Sequence, residues 1–550
     1  MTQPSRALTV RALILGMIGS AILTASSLFI ALKMGMLPWP IAFAAITSAL
    51  ALRALGSRDI HEANVTHAAM SAGAMIAGGL AFTVPGLWIM GAGEDLTVVQ
   101  VLLATIGGTV LGLLACAALQ PYFIHRQKLA YPIGRSAADT LRAVSENSAA
   151  DAPYLFGGLG FGALWAVLRD TLSVIPQMLF SCTVGGVSLG MYSSPMTVAM
   201  GFMVGVVPAL VWVGGAVLGH LGVGLALPAV GVIPADAIDA VRTSLGLGLM
   251  LGCGAGAIVS GIIGAARKRV GDKSVEAESA SLLRPGRTVI ALVSAGVAAW
   301  IAFVCGWGLG VGVIVTLGAW FAVFLSGWLT GTTGINPMEI FGMLVLLLVQ
   351  AMLHQTSTTT LFLVAAVVAV ACGIGGDVMN DLKAGDALGT PARDQFWGMV
   401  AGAGVGAVVA ALLIMVMHDV YGSEAFGPTS TFVSVQAANV AAMAGGISHV
   451  PAFVTGIVAG AIMTAVGLPV MTLGLGVYLP FYMSSGALVG VVVRIVMERV
   501  VRARAGEDKA DESALALETR MGAVASGLLG GESLAGVVMA LIAMWTMFVH

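Results

Sequence analysis

The stretch GGDVMNDLKAGDALGTPARDQ, from Gly375 to Gln395, decides the fold because it places ionisable side chains in an otherwise apolar part of the chain. Apolar runs flank it on both sides, so it lies at or inside a membrane. A charged side chain at the bilayer centre costs roughly 2.5–3.5 kcal/mol on insertion scales, and carboxylates kept there usually line a pathway. On a helix, Asp377, Asn380 and Asp381 share one face.

The second part of this stretch predicts a break in the helix. Gly385, Gly389 and Pro391 disfavour a regular helix, and freed backbone groups are tolerated in membranes only against protein or a water-filled cavity. With Lys383, the polar face therefore forms a candidate substrate or proton path. The alternative is a cytoplasmic loop between two spans, in which Lys383 and Arg393 are positive-inside markers.

The composition excludes a soluble globular protein. Of 550 residues, 58% are hydrophobic and 9% are charged, whereas about 25% are charged in soluble domains. We therefore predict an all-α polytopic integral membrane protein, whose 74 glycines allow close helix packing. The net charge of −2 gives no sign of a nucleic-acid partner, and the five isolated cysteines support neither a disulfide framework nor a metal site.

Hydropathy predicts about sixteen transmembrane helices, the first of them an uncleaved span instead of a signal peptide. The charged segment 267–287 is predicted to be a cytoplasmic loop between a first transmembrane half, 1–266, and a second, 288–550. The predicted spans are 8–32, 40–56, 67–91, 97–121, 154–172, 175–192, 195–218, 242–266, 288–305, 310–329, 337–353, 359–376, 393–417, one within 430–467, 470–497 and 521–548.

A short internal repeat supports two halves of eight spans. The segments that begin at Met196 and Met471 share the pattern M-T-[VL]-x-[ML]-G-[FV]-x-[VL], at a separation of 275 residues (471 − 196). An even number of spans in each half gives parallel repeats. The loop at 498–520 does not fit this count, because its arginines predict a cytoplasmic position but fifteen spans place it outside.

Four further clusters are candidate sites, and each has a structural alternative. Asn64 and His67 begin the third span, where helix amides bind anions, but such residues also serve as caps. Asn336 and Glu339 begin the eleventh span and have the same two interpretations. Broken or re-entrant helices mark transporter sites, and buried carboxylates need a partner or a proton. The first signal selects Tyr478, which lies between Pro469 and Pro480, as a candidate site residue. The second selects Glu532.

Several of these motifs resemble the oligopeptide transporter family, which includes the yellow stripe-like metal-chelate transporters. Its D-L-M-Q-D-x-K-T-G-Y signature is similar to 377–386, although Asn380 replaces the usual Gln and Asp386 the usual aromatic. The family's P-R-x-Q, L-x-[FY]-P-x-G-x-A and S-G-L-I-x-G-E motifs look like 391–395, 129–137 and 526–532, and its E-x-N-x-x-T is loosely similar to 62–67. The resemblance extends over nearly the whole chain.

The resemblance implies a sixteen-helix symporter that is driven by protons and carries small peptides or peptide-like metal chelates, without a cofactor. It implies no enzymatic activity, and a bacterial inner membrane fits the short loops. A homo-oligomer is one possible assembly. The alternatives are an ion-translocating membrane enzyme of the integral pyrophosphatase type, for which lysines and acidic clusters are too few, and a passive channel, which needs rings of like side chains.

Overall fold

A computed structural model describes most of the chain. The described residues are 7–35, 37, 41–184, 187–268, 292–297, 299–300, 308–333, 336, 338–352, 357–427, 430–445, 447–505 and 510–549. Most of the predicted loop 267–287 and of the predicted span 288–305 lies outside them. The statements below concern the described residues.

The chain forms two compact units, and each takes residues from both ends of the sequence. Unit 1 comprises 1–148, 260–445 and 543–550, and unit 2 comprises 149–259 and 446–542. The helices are α1 (Val10–Met34), α2 (Ile41–Ala54), α3 (Ile60–Ala81), α4 (Pro85–Ile89), α5 (Val98–Gln120), α6 (Pro132–Ala166), α7 (Pro195–Met203), α8 (Val206–Ala216), α9 (Leu227–Ala229), α10 (Ile238–Lys268), α11 (Leu309–Thr333), α12 (Met338–Met352), α13 (Thr358–Leu388), α14 (Ala392–Tyr421), α15 (Val435–Gly445), α16 (Val450–Ala465), α17 (Val470–Tyr478), α18 (Phe481–Ala505) and α19 (Ala510–Val549).

Eight helical stretches among the described residues are long and apolar enough to cross a membrane. The expected integral membrane class is therefore confirmed, while the count of sixteen spans stays a prediction. The eight are Val10–Lys33, Ile60–Ile89, Val98–Arg126, Val206–Ala229, Leu309–Gly331, Thr358–Leu388, Ala392–Tyr421 and Arg520–Met539, and shorter apolar helices cover Ala44–Ala54, Met338–Met352 and Val450–Ala465.

The prediction of a span at 175–192 is wrong. These residues form a two-stranded antiparallel sheet of β1 (Met178–Val184) and β2 (Val187–Tyr192). The segment is apolar, and its 18 residues are near the minimum for a span, so hydropathy alone does not separate the two structures. Among the described residues the fold is thus helical with one short hairpin.

Helix α13 is the core of unit 1. The Ser357 side chain accepts a hydrogen bond from the amide of Thr360 at its start, and Gly389 ends it with a φ of 77°. All of its most apolar 18-residue window is buried inside the protein, where α3, α5, α11 and α12 pack against it. Protein therefore surrounds α13, so a carboxylate on it faces other side chains instead of lipid.

The expected break at Gly385 does not occur. Helix α13 continues through Gly385 to Leu388, and the chain turns only at Gly389 and Pro391. A glycine inside a helix costs about 1 kcal/mol relative to alanine. Close packing explains its presence, because a Cβ at Gly385 would lie 2.0 Å from Oε1 of Gln395.

Two broken helices in unit 2 repeat each other. Helix α7 is followed by α8 after a break at Gly205, and α17 is followed by α18 after a break at Pro480. The starts of α17 and α18 follow those of α7 and α8 by the same 275 residues (470 − 195 and 481 − 206). This separation equals that of the sequence repeat, so the short pattern marks a repeated structure.

The packing in unit 2 repeats at the same separation. A Cβ on Gly201 of α7 would lie 2.1 Å from the carbonyl oxygen of Ala487, and one on Gly476 of α17 would lie 2.0 Å from that of Trp212. Gly476 and Ala487 are the counterparts of Gly201 and Trp212 (476 − 201 and 487 − 212). Helix α7 therefore packs against α18 through Gly201, and α17 packs against α8 through Gly476.

We expect Gly215→Ala to destabilise the protein by about 1–3 kcal/mol, because its Cβ would lie 2.2 Å from the carbonyl oxygen of Leu473. Gly214→Ala is the matched control, since a Cβ at Gly214 of the same helix meets nothing within 4 Å. Thermal unfolding of the purified protein in detergent measures the difference. Equal melting temperatures of the two variants would contradict the packing.

Candidate functional site

A polar seam lies between α3 and α13 inside unit 1. Oγ of Ser71 donates a hydrogen bond of 2.6 Å to Oδ2 of Asp381. Nδ1 of His67 lies 3.9 Å from Oδ1 of the same carboxylate, and neither of these two side chains is exposed. Asp377 lies one turn earlier on α13 and is also buried. The carboxylate of Asp381 thus faces a serine and a histidine of α3, and a second enclosed carboxylate lies one turn away on the same helix.

Several polar atoms of this seam have no hydrogen-bond partner among the described residues. They are both carboxylate oxygens of Asp377, Oδ1 of Asp381, both ring nitrogens of His67, Oδ1 of Asn64 and Oε1 of Gln395. A buried polar group without a partner costs free energy. Such atoms are expected where a proton or another ligand is bound for part of a functional cycle.

The outer end of the seam is a hydrogen-bonded cluster around Thr390. Nδ2 of Asn64 donates to Oγ1 of Thr390 at 3.1 Å, and Nδ1 of His61 lies 3.2 Å from the same oxygen. Nε2 of Gln395 donates to the backbone carbonyl of Asp381. The cluster links the half-buried His61 to the turn that ends α13.

Asn380 and Lys383 have other contacts. Oδ1 of Asn380 accepts a hydrogen bond of 3.2 Å from the amide of Gly134 in the first turn of α6. Nζ of Lys383 lies 3.0 Å from Oδ2 of Asp386, whose side chain is 39% exposed. Lys383 therefore forms an ion pair at the surface of unit 1. The two enclosed carboxylates, Asp377 and Asp381, are not part of that ion pair.

Asn336 and Glu339 lie on the other side of α13. Nδ2 of Asn336 donates to the backbone carbonyl of Cys372 at 3.0 Å, and its Oδ1 accepts a bond of 2.7 Å from Ser326. Glu339 is buried in the first turn of α12. Asn336 thus binds the backbone of α13, and Glu339 adds a third enclosed carboxyl group to unit 1.

Glu532 belongs to unit 2, where its carboxylate is fully partnered. Oε1 lies 2.8 Å from NH1 of Arg169 and accepts a hydrogen bond of 2.7 Å from Ser194. Oε2 accepts a bond of 2.8 Å from the amide of Met196 in the first turn of α7. A carboxylate at a helix N-terminus is favoured by the helix dipole. Glu532 thus joins α19 to Arg169 and to α7.

Tyr478 is the last residue of α17, and its buried hydroxyl has no hydrogen-bond partner in the described part of the chain. The carbonyl groups at this helix end are bound by cationic or imidazole side chains. NH1 of Arg242 donates to the carbonyl of Tyr478 at 2.9 Å, and Nε2 of His220 lies 3.0 Å from that of Leu479. Arg494 similarly donates to the carbonyl of Phe202 near the end of α7. At both helix breaks, after α7 and after α17, side chains therefore form hydrogen bonds with carbonyl groups of the backbone.

Sequence reasoning missed the residues that complete these clusters. Ser71 follows the motif at 62–67, and Thr390 lies inside the quoted stretch, but their partners Asp381 and Asn64 are 310 and 326 positions away. Arg169 lies in a π-helical turn at Val167–Thr171, of a kind that is frequent at functional sites, but this turn is visible only in the structure. Among the described residues, no group of three or more His, Cys, Asp or Glu side chains is placed to hold a metal ion.

The membrane-length helices and the enclosed carboxylates define a polytopic membrane protein with polar groups in its interior. A family model described as OPT oligopeptide transporter protein matches residues 7–266 and 284–543. The chain therefore belongs to the oligopeptide transporter family. It is also 25% identical over 598 aligned positions to a protein of Haemophilus influenzae described as a putative oligopeptide transporter, with 94% of this chain and 92% of the relative covered.

Proposed function

We propose that the protein is a secondary active transporter that moves small oligopeptides across the membrane together with protons. Family membership and the name of the Haemophilus influenzae relative support the substrate class. The observation that carries the proton coupling is the pair Asp377 and Asp381, enclosed on α13 with three unpartnered oxygens between them. We place the protein in a plasma membrane, because that relative is bacterial.

The proposed mechanism uses the charge of an enclosed carboxylate as a switch. An ionised carboxylate without a cation is costly away from water, so it favours a conformation in which water reaches it, and a bound proton removes that cost. One proton that moves inward across 100 mV releases roughly 2.3 kcal/mol. We propose Asp381 as the main proton carrier, because Ser71 fixes one of its oxygens and the other remains unpartnered.

Asp377 and Glu339 are the other proposed proton carriers in unit 1. Asp377 lies one turn before Asp381 on α13, on the same face of the helix. His67 faces Asp381 at 3.9 Å and would receive its hydrogen bond after a small approach. Tyr478, whose buried hydroxyl is unpartnered, is a proposed substrate contact in unit 2.

A peptide-like metal chelate is the second proposed substrate class. The observation that favours it is Asp386, which stands where the family signature has an aromatic residue and which pairs with Lys383 at the surface of unit 1. Under this proposal the metal is cargo.

Substrate-induced current in proteoliposomes tests this proposal. With an imposed inward proton gradient, we expect inward current when a mixture of di- and tripeptides is added. Iron or nickel chelates of amino-acid-like ligands are added in a second series. Current with peptides supports oligopeptide symport, and current only with chelates assigns the second class. If folded protein responds to neither, the proposed function is wrong.

A further inference from the structure

We propose that the seam between α3 and α13 is the route by which protons reach Asp381, with the Thr390 hydroxyl as its outer relay. This inference rests on the proposed proton coupling and adds the side chains that would conduct the proton. Along α3, His61, Asn64, His67 and Ser71 follow at intervals of three or four residues, so they share one face of the helix. They face the last three turns of α13 and the chain just beyond it.

The side chains of the seam form a series from a half-buried group to the enclosed one. The series begins at His61, whose Nδ1 contacts Thr390 at 3.2 Å, and passes to Asn64 at 3.1 Å from the same hydroxyl. It continues to Gln395, which is bound to the backbone of Asp381. It ends where His67 and Ser71 face the carboxylate of Asp381.

Gly385 brings the two amide side chains of this series together. A Cβ at this position would lie 2.0 Å from Oε1 of Gln395 and 3.3 Å from Nδ2 of Asn64, so both amide groups approach the same point of the α13 backbone. Oε1 of Gln395 and Oδ1 of Asn64 have no partner there. In the proposed route, these two amide groups hold a water molecule from the aqueous phase.

Four other carboxylates near the seam, all on described residues, are already bound. Glu62 pairs with Arg11 at 2.6 Å, and Asp59 accepts a hydrogen bond from the amide of His61. Asp386 pairs with Lys383, and Asp394 accepts hydrogen bonds from the amides of Ala7 and Leu8. The carboxylates of Asp377 and Asp381 therefore remain as the proton acceptors at the inner end.

Proton transfer along the seam balances without another reactant. The Nδ1 proton of a protonated His61 passes to the hydroxyl oxygen of Thr390, which can accept two hydrogen bonds and donate one. The Thr390 hydroxyl gives its own proton to a water molecule held by the amide oxygens of Asn64 and Gln395. That water transfers a proton to Oδ1 of Asp381. His61 becomes neutral and Asp381 becomes a carboxylic acid, and the reverse steps release the proton.

Thr390→Val tests the route, because it keeps the shape of the side chain and removes only the hydroxyl. In proteoliposomes we expect proton-driven peptide uptake to fall at least about tenfold, since positioned proton-transfer groups typically contribute 10²–10⁴-fold. Peptide counterflow, which needs no net proton movement, should stay within about twofold of the wild type. Thr390→Ser should restore uptake, and Thr243→Val, at a half-buried site in unit 2, should leave both activities unchanged.

Two results would overturn the route while leaving proton-coupled transport intact. One is proton-driven uptake by Thr390→Val at the wild-type rate. The other is an equal loss of uptake and counterflow, which would indicate a structural role for the hydroxyl. If wild-type uptake does not respond to a proton gradient at all, the proposed function itself is wrong.

Discussion

Asp381→Asn is expected to reduce proton-driven peptide uptake at least about 100-fold, the lower end of the effect of a positioned proton-transfer group. Asparagine has the shape of aspartate and still offers an oxygen to Ser71, which donates to Asp381 at 2.6 Å, but it cannot take up a proton. Stability should therefore be kept while coupling is lost. Uptake of labelled dipeptide with and without a pH gradient measures the effect.

Asp386→Asn is the matched control for this experiment. It lies on the same helix and makes the same chemical change, but its side chain is 39% exposed and pairs with Lys383. We expect its uptake to equal that of the wild type. If Asp381→Asn still responds to the pH gradient as the wild type does, Asp381 is not the proton carrier, and Asp377→Asn and Glu339→Gln test the two other candidates.

Glu532→Ala is expected to lower the free energy of unfolding by about 3–5 kcal/mol, the usual effect of removing one partner of a buried ion pair. The change leaves NH1 of Arg169, the Ser194 hydroxyl and the Met196 amide without their shared acceptor. The sequence analysis made Glu532 a candidate for the substrate or proton path. Because both of its carboxylate oxygens have hydrogen-bond partners, we propose that it stabilises the fold. Thermal unfolding in detergent measures the loss.

Asp239→Asn is the control for this second prediction. Asp239 also pairs with an arginine of unit 2, but its side chain is 86% exposed. Exposed ion pairs contribute about 0–1 kcal/mol, so the melting temperature should hardly change. A Glu532→Ala protein that is as stable as the wild type would contradict the structural role and would return Glu532 to the list of proton carriers.

The parts of the fold that could be predicted from the sequence are those with a strong local signal. Apolar runs gave the membrane class, and carboxylates at 377 and 381 in such a run gave the candidate site, because an enclosed charge is costly wherever the chain places it. The pattern shared by Met196 and Met471 gave the separation of the two broken helices.

The parts that could not be predicted depend on distant or local packing. His67 and Asp381, or Arg169 and Glu532, are hundreds of residues apart in sequence, so neither residue of a pair identifies the other. Helix α13 continues through Gly385 because of a tight contact with Gln395 that propensity does not include. The hairpin at 178–192 has the length and hydropathy of a short span, so only the pairing of its strands distinguishes it.

The most direct test of proton-coupled peptide transport is the internal pH of proteoliposomes that contain an entrapped pH dye. With the membrane potential clamped, we expect addition of a dipeptide to acidify the lumen with wild-type protein and with Asp386→Asn, but not with Asp381→Asn. Acidification that is equal in all three proteins would contradict Asp381 as the proton carrier. Uptake of dipeptide by the wild type without any acidification would contradict proton coupling.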